Sequence, residues 1–178
     1  MLVRLLPLPD IDIFLEHVSR HMAESGTEGT PVFSPLQPGL PWDAEAARLR
    51  VKEAWEKTLE EPGWCRAWGT FDGASLIGHI DLKTMKLPSA LHRATIGIGV
   101  ESSHRRQGVG SLLLQAAVDW AQEQPALVWL DLEVFAHNHA AIKLYEAFHF
   151  VQVGAVLDRF RINGKKIDDL QMVHRIRE

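Results

Sequence analysis

One stretch restricts the fold more than any other. A strand-like run from Ala94 to Val100 leads through a glycine-containing turn into an apolar helical run from Ser111 to Gln122, and a second strand-like run, Leu127 to Val134, follows. Two strands joined by a helix cannot form a hairpin; they lie parallel, with a right-handed crossover. The surrounding pattern is antiparallel. Trp64 to Phe71 and Ala74 to Leu82 join at Asp72-Gly73, and Val151 to Ile162 and Lys165 to Ile176 join at Asn163-Gly164, a dipeptide suited to a type I′ turn. Leu2 to Leu6 reads as a short strand. Ile11, Phe14, Leu15 and Val18 share one helical face behind an Asp10 N-cap, Asp43 starts a second helix that ends by Gly63, and His139 to Ala147 forms a short last helix. The helix from Ser111 is expected to bury Leu112, Leu113, Ala116, Val118 and Trp120. The prediction is an α/β fold: a mixed, mostly antiparallel twisted sheet with a central parallel strand–helix–strand unit and helices on both faces. At 178 residues the chain is expected to be a single domain over 1–178.

Composition removes several classes of function. Nineteen Lys and Arg against 23 Asp and Glu leave a net charge of −4, the wrong sign for a general nucleic-acid binder. Cys65 is the lone cysteine, so neither an internal disulfide nor a cysteine-based zinc site can form. His137 and His139 are two apart with no cysteine nearby, and no metal is expected. No run of about 18 apolar residues occurs and no leader pattern opens the chain, so a cytoplasmic protein with no membrane partner is expected. Ser25 to Pro41 is a long Gly- and Pro-rich connection, either a solvated insertion or a cover over substrate; Phe33 and Trp42 in or beside it could line an acceptor pocket.

The most informative motif is Arg105-Arg106-Gln107-Gly108-Val109-Gly110-Ser111, between a strand end and a helix start. Unpaired N–H groups and the helix dipole attract phosphate there. Gly108 and Gly110 let a diphosphate approach the backbone, and the two arginines add fork-shaped donors. Taken alone, the motif also reads as a tight strand-to-helix turn needing one positive φ, with exposed arginines nearby. A third glycine and a Gly-Lys-Ser/Thr are both missing, so neither the dinucleotide fingerprint nor the Walker loop applies. The second motif runs from Asn138 to Glu146. In a helix, Asn138, Ala141 and Tyr145 share one face, offering an amide, a small residue and a phenol to an extended ligand. Taken alone, these residues also read as an N-cap and a core aromatic.

Together, on successive strand–helix junctions, the two motifs resemble the GNAT superfamily of acetyl-CoA-dependent N-acetyltransferases. The element order is similar over most of the chain, and the specific part spans about Ala94 to Phe150. The resemblance implies that Arg105 to Gly110, with Ser111, holds the coenzyme A diphosphate. It implies that Ile98, Gly99 and Val100 pair with the pantetheine arm on a strand splayed from its neighbour, that Asn138 and the Ala141 face contact pantetheine, and that Tyr145 points at the sulfur. Two departures stand out. His149 occupies a position where the family usually has glycine, and a left-handed His149 is expected at a cost of about 1 kcal/mol. The strand from Ala94 to Val100 also lacks the carboxylate that many relatives place there.

The implied reaction is attack of a neutral amine on the thioester of acetyl-CoA, the acyl-donor cosubstrate. Glu133 is the candidate base, with Asp131 on the same strand face and Glu101 at a strand end; each also reads as a structural partner of an arginine. The acceptor is a primary amine, either a small molecule or a protein N-terminus or lysine. The resemblance also allows a homodimer. The competing reading is a non-catalytic acyl-CoA-binding sensor or interaction module.

Overall fold

The structure, a computed structural model, describes residues 1–27, 30–36 and 43–178. Seven strands and four α-helices follow one another as β1 (Val3–Leu5), α1 (Ile11–Ala23), α2 (Ala44–Glu56), β2 (Cys65–Asp72), β3 (Ser75–Lys83), β4 (Arg93–Val100), α3 (Val109–Glu123), β5 (Trp129–Phe135), α4 (His139–Ala147), β6 (Val151–Ile162) and β7 (Lys165–Arg175). They form one sheet in the order β1-β2-β3-β4-β5-β7-β6. Every pairing is antiparallel except β4 with β5, as the crossover helix requires.

Local chemistry fixes the element ends. The Asp43 side chain accepts from Ala46 N at 2.9 Å, capping α2. Asp10 stands at the start of α1, but its carboxylate goes to Arg4 and makes no side-chain cap. Asn163 and Gly164 both take positive φ, 51° and 74°, as a type I′ turn demands. His149 is left-handed at φ 65°, and Phe150 N donates back to Tyr145 O at 3.1 Å, closing α4 as a glycine would.

Side chains alternate across the strands, so the sheet has two distinct faces. A Cβ at Gly78 would meet Leu113 and Val109 of α3, whereas one at Gly99 would meet His21 of α1. The α3 face carries the main core of Trp68, Ile80, Leu82, Ile96, Leu130, Leu132 and Met172. On the α1 face, Phe14, Leu15, Ala67 and Leu76 form one cluster, and Phe135, Ile162 and Ile167 form another under Val32. Helix α3 begins two residues earlier than its sequence pattern suggests. Its buried stripe is Val109, Leu113, Leu114, Ala117, Val118 and Ala121, while Leu112 is 45% exposed and Ala116 and Trp120 are half-buried. The helix axis is rotated relative to the expected stripe because Val109, not Leu112, seats against β3. Among the described residues, no helix is long and apolar enough to cross a membrane.

Candidate active site

The sheet opens at its centre. The parallel ladder pairs Arg93 with Trp129, Ala94 with Leu130 and Thr95 with Asp131, and then stops. Strand β4 runs on to Val100 paired with β3 alone, so its other edge, from Ile96 onward, carries backbone groups without a strand partner. Ile98, Gly99 and Val100 lie on this free edge.

Below the opening stands the start of α3. Its N-cap is Gly108 at φ 81°, a left-handed geometry that costs other residues about 1–2 kcal/mol. Among the described residues no side chain caps this end, so the first-turn N–H groups at Val109, Gly110 and Ser111 point outward without an intrahelical acceptor. A Cβ at Gly108 would meet nothing within 4 Å, leaving the approach to those amides open. Gly110 has a packing role as well. A Cβ there would lie 3.1 Å from Leu144, so this glycine lets α3 and α4 close together. Val109 is a core side chain that offers only its backbone, and Gln107 donates to Ser103 O at 3.0 Å. An uncapped helix start with an unobstructed flank fits a diphosphate.

The two arginines separate. Arg106 is exposed and takes φ 60°, with no hydrogen-bond or ionic partner among the described residues. Arg105 turns inward instead of toward the helix start. Its Nε donates to Val100 O at 2.9 Å, its Nη2 donates to Glu24 Oε2 at 2.8 Å, and its guanidinium lies 5.3 Å from the Phe33 ring centroid. Glu24 also accepts from Ser102 N and Oγ. Arg105 therefore ties the end of β4 to α1 and to residues 30–36, because a carboxylate and a carbonyl already occupy its fork. That segment straps the α1 face: Phe33 stacks on His21 at 4.4 Å, while Val32 packs over Phe135 and Ile167 and its carbonyl accepts from His137 at 2.8 Å. Phe33 thus lies beside the opening; Trp42 falls outside the described residues.

On α4, Asn138, Ala141 and Tyr145 share one face as their spacing predicts. The Asn138 side-chain oxygen accepts from Ala141 N at 3.3 Å, which makes it the N-cap and leaves its amide NH₂ to donate elsewhere. Tyr145, the lone tyrosine of the chain, is 6% exposed and packs on Phe150. Burial pushes its phenol well above the ordinary range, so it stays a hydrogen-bond donor.

The candidate carboxylates are all held by arginines. Asp131 binds Arg93 through both oxygens, and Glu133, whose side chain is 47% exposed, accepts from Arg159 at 2.7 Å. The same Arg159 reaches buried Asp169 at 2.7 Å. Glu101 takes hydrogen bonds from Arg20 and from His17, both at 3.1 Å, and these partners hold its carboxyl below the usual range against the opposing effect of its own burial.

Sequence reasoning missed a histidine cluster. His17 and His21 form an i, i+4 pair on α1, and β3 brings His79 against both. His17 is fully buried. Its Nδ1 faces Glu101, so in the neutral ring Nε2 is an acceptor, and His79 Nδ1 donates to it at 2.9 Å. His21 Nδ1 is buried 4.0 Å from Glu24 Oε2 and has no hydrogen-bond partner among the described residues. Burial lowers the proton affinity of all three, that of His21 from 6.5 to about 4. The i, i+4 spacing on the apolar face of α1 was the available signal. Gly99 makes the packing possible, since a Cβ there would fall 2.6 Å from His21 and 2.7 Å from His79. Among the described residues, no group of three or more His, Cys, Asp or Glu side chains is arranged to hold a metal.

The sequence profile of the acetyltransferase (GNAT) family matches residues 32–150. The chain is similar to L-amino acid N-acetyltransferase AaaT of Escherichia coli (strain K12), 28% identical over 117 residues, covering 66% of this chain and 72% of that one. It is similar to N-alpha-acetyltransferase RimI of Mycobacterium tuberculosis, 28% identical over 96 residues, covering 54% of this chain and 58% of the other. Its fold matches that of yncA, a putative acetyltransferase of Salmonella typhimurium solved with its cofactor acetyl-CoA, at a TM-score of 0.79 and 14% identity, covering 99% of this chain and 94% of that one.

Proposed function

The chain belongs to the acetyltransferase (GNAT) family and is an N-acetyltransferase that uses acetyl-CoA; from that premise we propose which residues do the work and which amine receives the group. The first-turn amides of α3 and the exposed guanidinium of Arg106 bind the diphosphate. The unpaired edge of β4 from Ile98 to Val100 donates and accepts along the pantetheine amides, and the spare NH₂ of Asn138 adds a further donor beside the small Ala141. Bound there, acetyl-CoA supplies an activated acyl thioester. A backbone N–H on the open edge near Val100 meets the oxyanion that develops on the carbonyl. Tyr145 donates to the departing sulfur. Its raised proton affinity favours a hydrogen bond over full transfer, since a free thiol ionises near 8.5.

The acceptor is a primary amine entering on the α1 face, between the strap at 30–36 and the β5–β7 half of the sheet. The two relatives are, by their names, an L-amino acid N-acetyltransferase and an N-alpha-acetyltransferase, which supports an α-amino acceptor. An α-amino group near pKa 8 needs only about 1 kcal/mol to be neutral at pH 7, against about 4.6 for a lysine-like amine. The observation that carries the proposal is the ladder ending at Thr95–Asp131 directly above an uncapped α3. The test is calorimetry with coenzyme A, followed by thiol release from acetyl-CoA across free amino acids, peptides with free N-termini and diamines. Micromolar binding with turnover on at least one α-amine is expected; binding with no turnover on any amine would replace the enzyme with a sensor module.

A further inference from the structure

One carboxylate on the α1 face differs from the rest. Asp131 and Glu133 are salt-bridged to arginines, whereas the Asp81 carboxylate accepts no hydrogen bond from any described residue. Its one ionic neighbour is Lys83 Nζ, 3.9 Å from Oδ2, on a side chain 58% exposed; the Asp81 side chain is only 14% exposed. A carboxylate withdrawn from water without donors is costly, and such a group is a candidate for function.

Its placement follows from register. Asp81 on β3 pairs with Gly97 on β4, and both lie on the α1 face. A Cβ at Gly97 would sit 2.5 Å from Asp81 Oδ1, 3.2 Å from Cγ and 3.4 Å from Oδ2. The carboxylate therefore lies across the β4 backbone, in the space the missing side chain leaves. Gly97 is also the first residue on that face beyond the last parallel pair, Thr95–Asp131. Asp81 thus reaches over β4 toward the opening, at the level where the ladder ends.

We infer that Asp81 meets the acceptor ammonium and takes its proton, so that the acceptor is an amine that is cationic in solution. This rests on the acetyl-transfer reading and names the base within it. Asp81 accepts one proton from R–NH₃⁺. The freed nitrogen lone pair forms the C–N bond to the thioester carbonyl carbon, the C–S bond breaks with its electrons on sulfur, and the second nitrogen proton balances the thiolate. The products are one amide, one thiol and the proton that Asp81 returns to solvent. Burial raises the proton affinity of Asp81 and Lys83 opposes it, which brings the group nearer the pH at which a base works well. On the same face, the Cys65 thiol on β2 is pushed up by burial and stays neutral, His79 is neutral, Asp131 is paired with Arg93, and Glu133 and Asp169 share the one guanidinium of Arg159.

The test compares the full-length wild type with Asp81→Asn, and with Asp81→Ser as a second removal of the charge. Thiol release is followed from pH 6 to 10 on a strongly basic primary amine and on a weakly basic, fluorinated primary amine. At pH 7 the variants are expected to lose about 10²-fold in kcat/KM on the basic amine. The deficit closes as pH approaches the pKa of the amine, is small for the fluorinated amine, and is accompanied by unchanged acetyl-CoA affinity and by a melting temperature no lower than that of the wild type, since the charge removed is a buried one. A uniform loss at every pH and for both amines, or no loss, overturns the assignment. A wild type that releases no thiol with any amine brings down the acetyl-transfer reading itself, and this assignment with it.

Discussion

Acidification from pH 7 to pH 5 tests the buried histidines before it reaches most carboxylates. In the unfolded chain each histidine titrates near 6.5. In the fold, desolvation lowers His21 to about 4 and shifts His17 and His79 the same way. Below pH 6.5 the unfolded chain therefore binds protons that the native state refuses. The stabilisation is complete above 6.5 and is lost as pH falls toward the folded value. For His21 alone the single-site integral gives about 2 kcal/mol at pH 5 and about 3.4 kcal/mol well below pH 4. That is a large part of a total stability of about 5–15 kcal/mol. Asp81 and Asp169, raised by burial, act in the opposite sense, so the wild-type slope is a net value. The decisive quantity is the difference between wild type and His21→Phe, a change that keeps an aromatic ring against Phe33. Urea unfolding followed by tryptophan fluorescence should show the variant losing about 2 kcal/mol less than the wild type between pH 7 and pH 5. Equal slopes in the two proteins would refute the claim that His21 is held neutral by burial.

Tyr145→Phe should lower turnover about 10²-fold while acetyl-CoA affinity stays within about twofold; a variant with unchanged turnover takes the phenol out of the mechanism. Gly108→Ala places a methyl over the open flank of α3 at φ 81°, and calorimetry should show coenzyme A affinity falling about tenfold in a folded protein. Arg105→Ala leaves Glu24 without its guanidinium and frees Phe33. Stability should fall by about 1–3 kcal/mol in thermal melts, with faster protease cleavage within 30–36.

What could be read from the sequence was local. The Asn163-Gly164 turn, the αL position of His149, the α4 boundaries and the parallel unit each depend on residues adjacent in the chain, where φ preferences and side-chain period act directly. The left-handed Gly108 at the start of α3 and the Asn138 cap of α4 were legible for the same reason. Arg105 was not, because whether a guanidinium faces a ligand or a protein carboxylate depends on where Glu24, 81 positions away, is brought. The histidines were obscured likewise: His17 and His79 meet across 62 residues, and only the α1–β3 contact makes them one buried group.

The carboxylate missing from β4 was hidden by register too. Read along the chain, Thr95-Ile96-Gly97-Ile98-Gly99 is a strand weakened by glycine, and Asp81 is one polar residue in a neighbouring strand. Register changes both readings. With Gly97 opposite Asp81, the glycine is the vacancy into which the neighbour's carboxylate extends, and with Gly99 opposite His79 the next vacancy admits an imidazole. A side chain at 97 would occupy the position of Asp81 Oδ1, so Gly97→Ala should resemble Asp81→Asn in its pH profile although it removes no charge. Loss of thiol release at pH 7 that recovers at high pH in Gly97→Ala would show that the base works from β3 across β4; a Gly97→Ala protein with wild-type rates would place the base elsewhere.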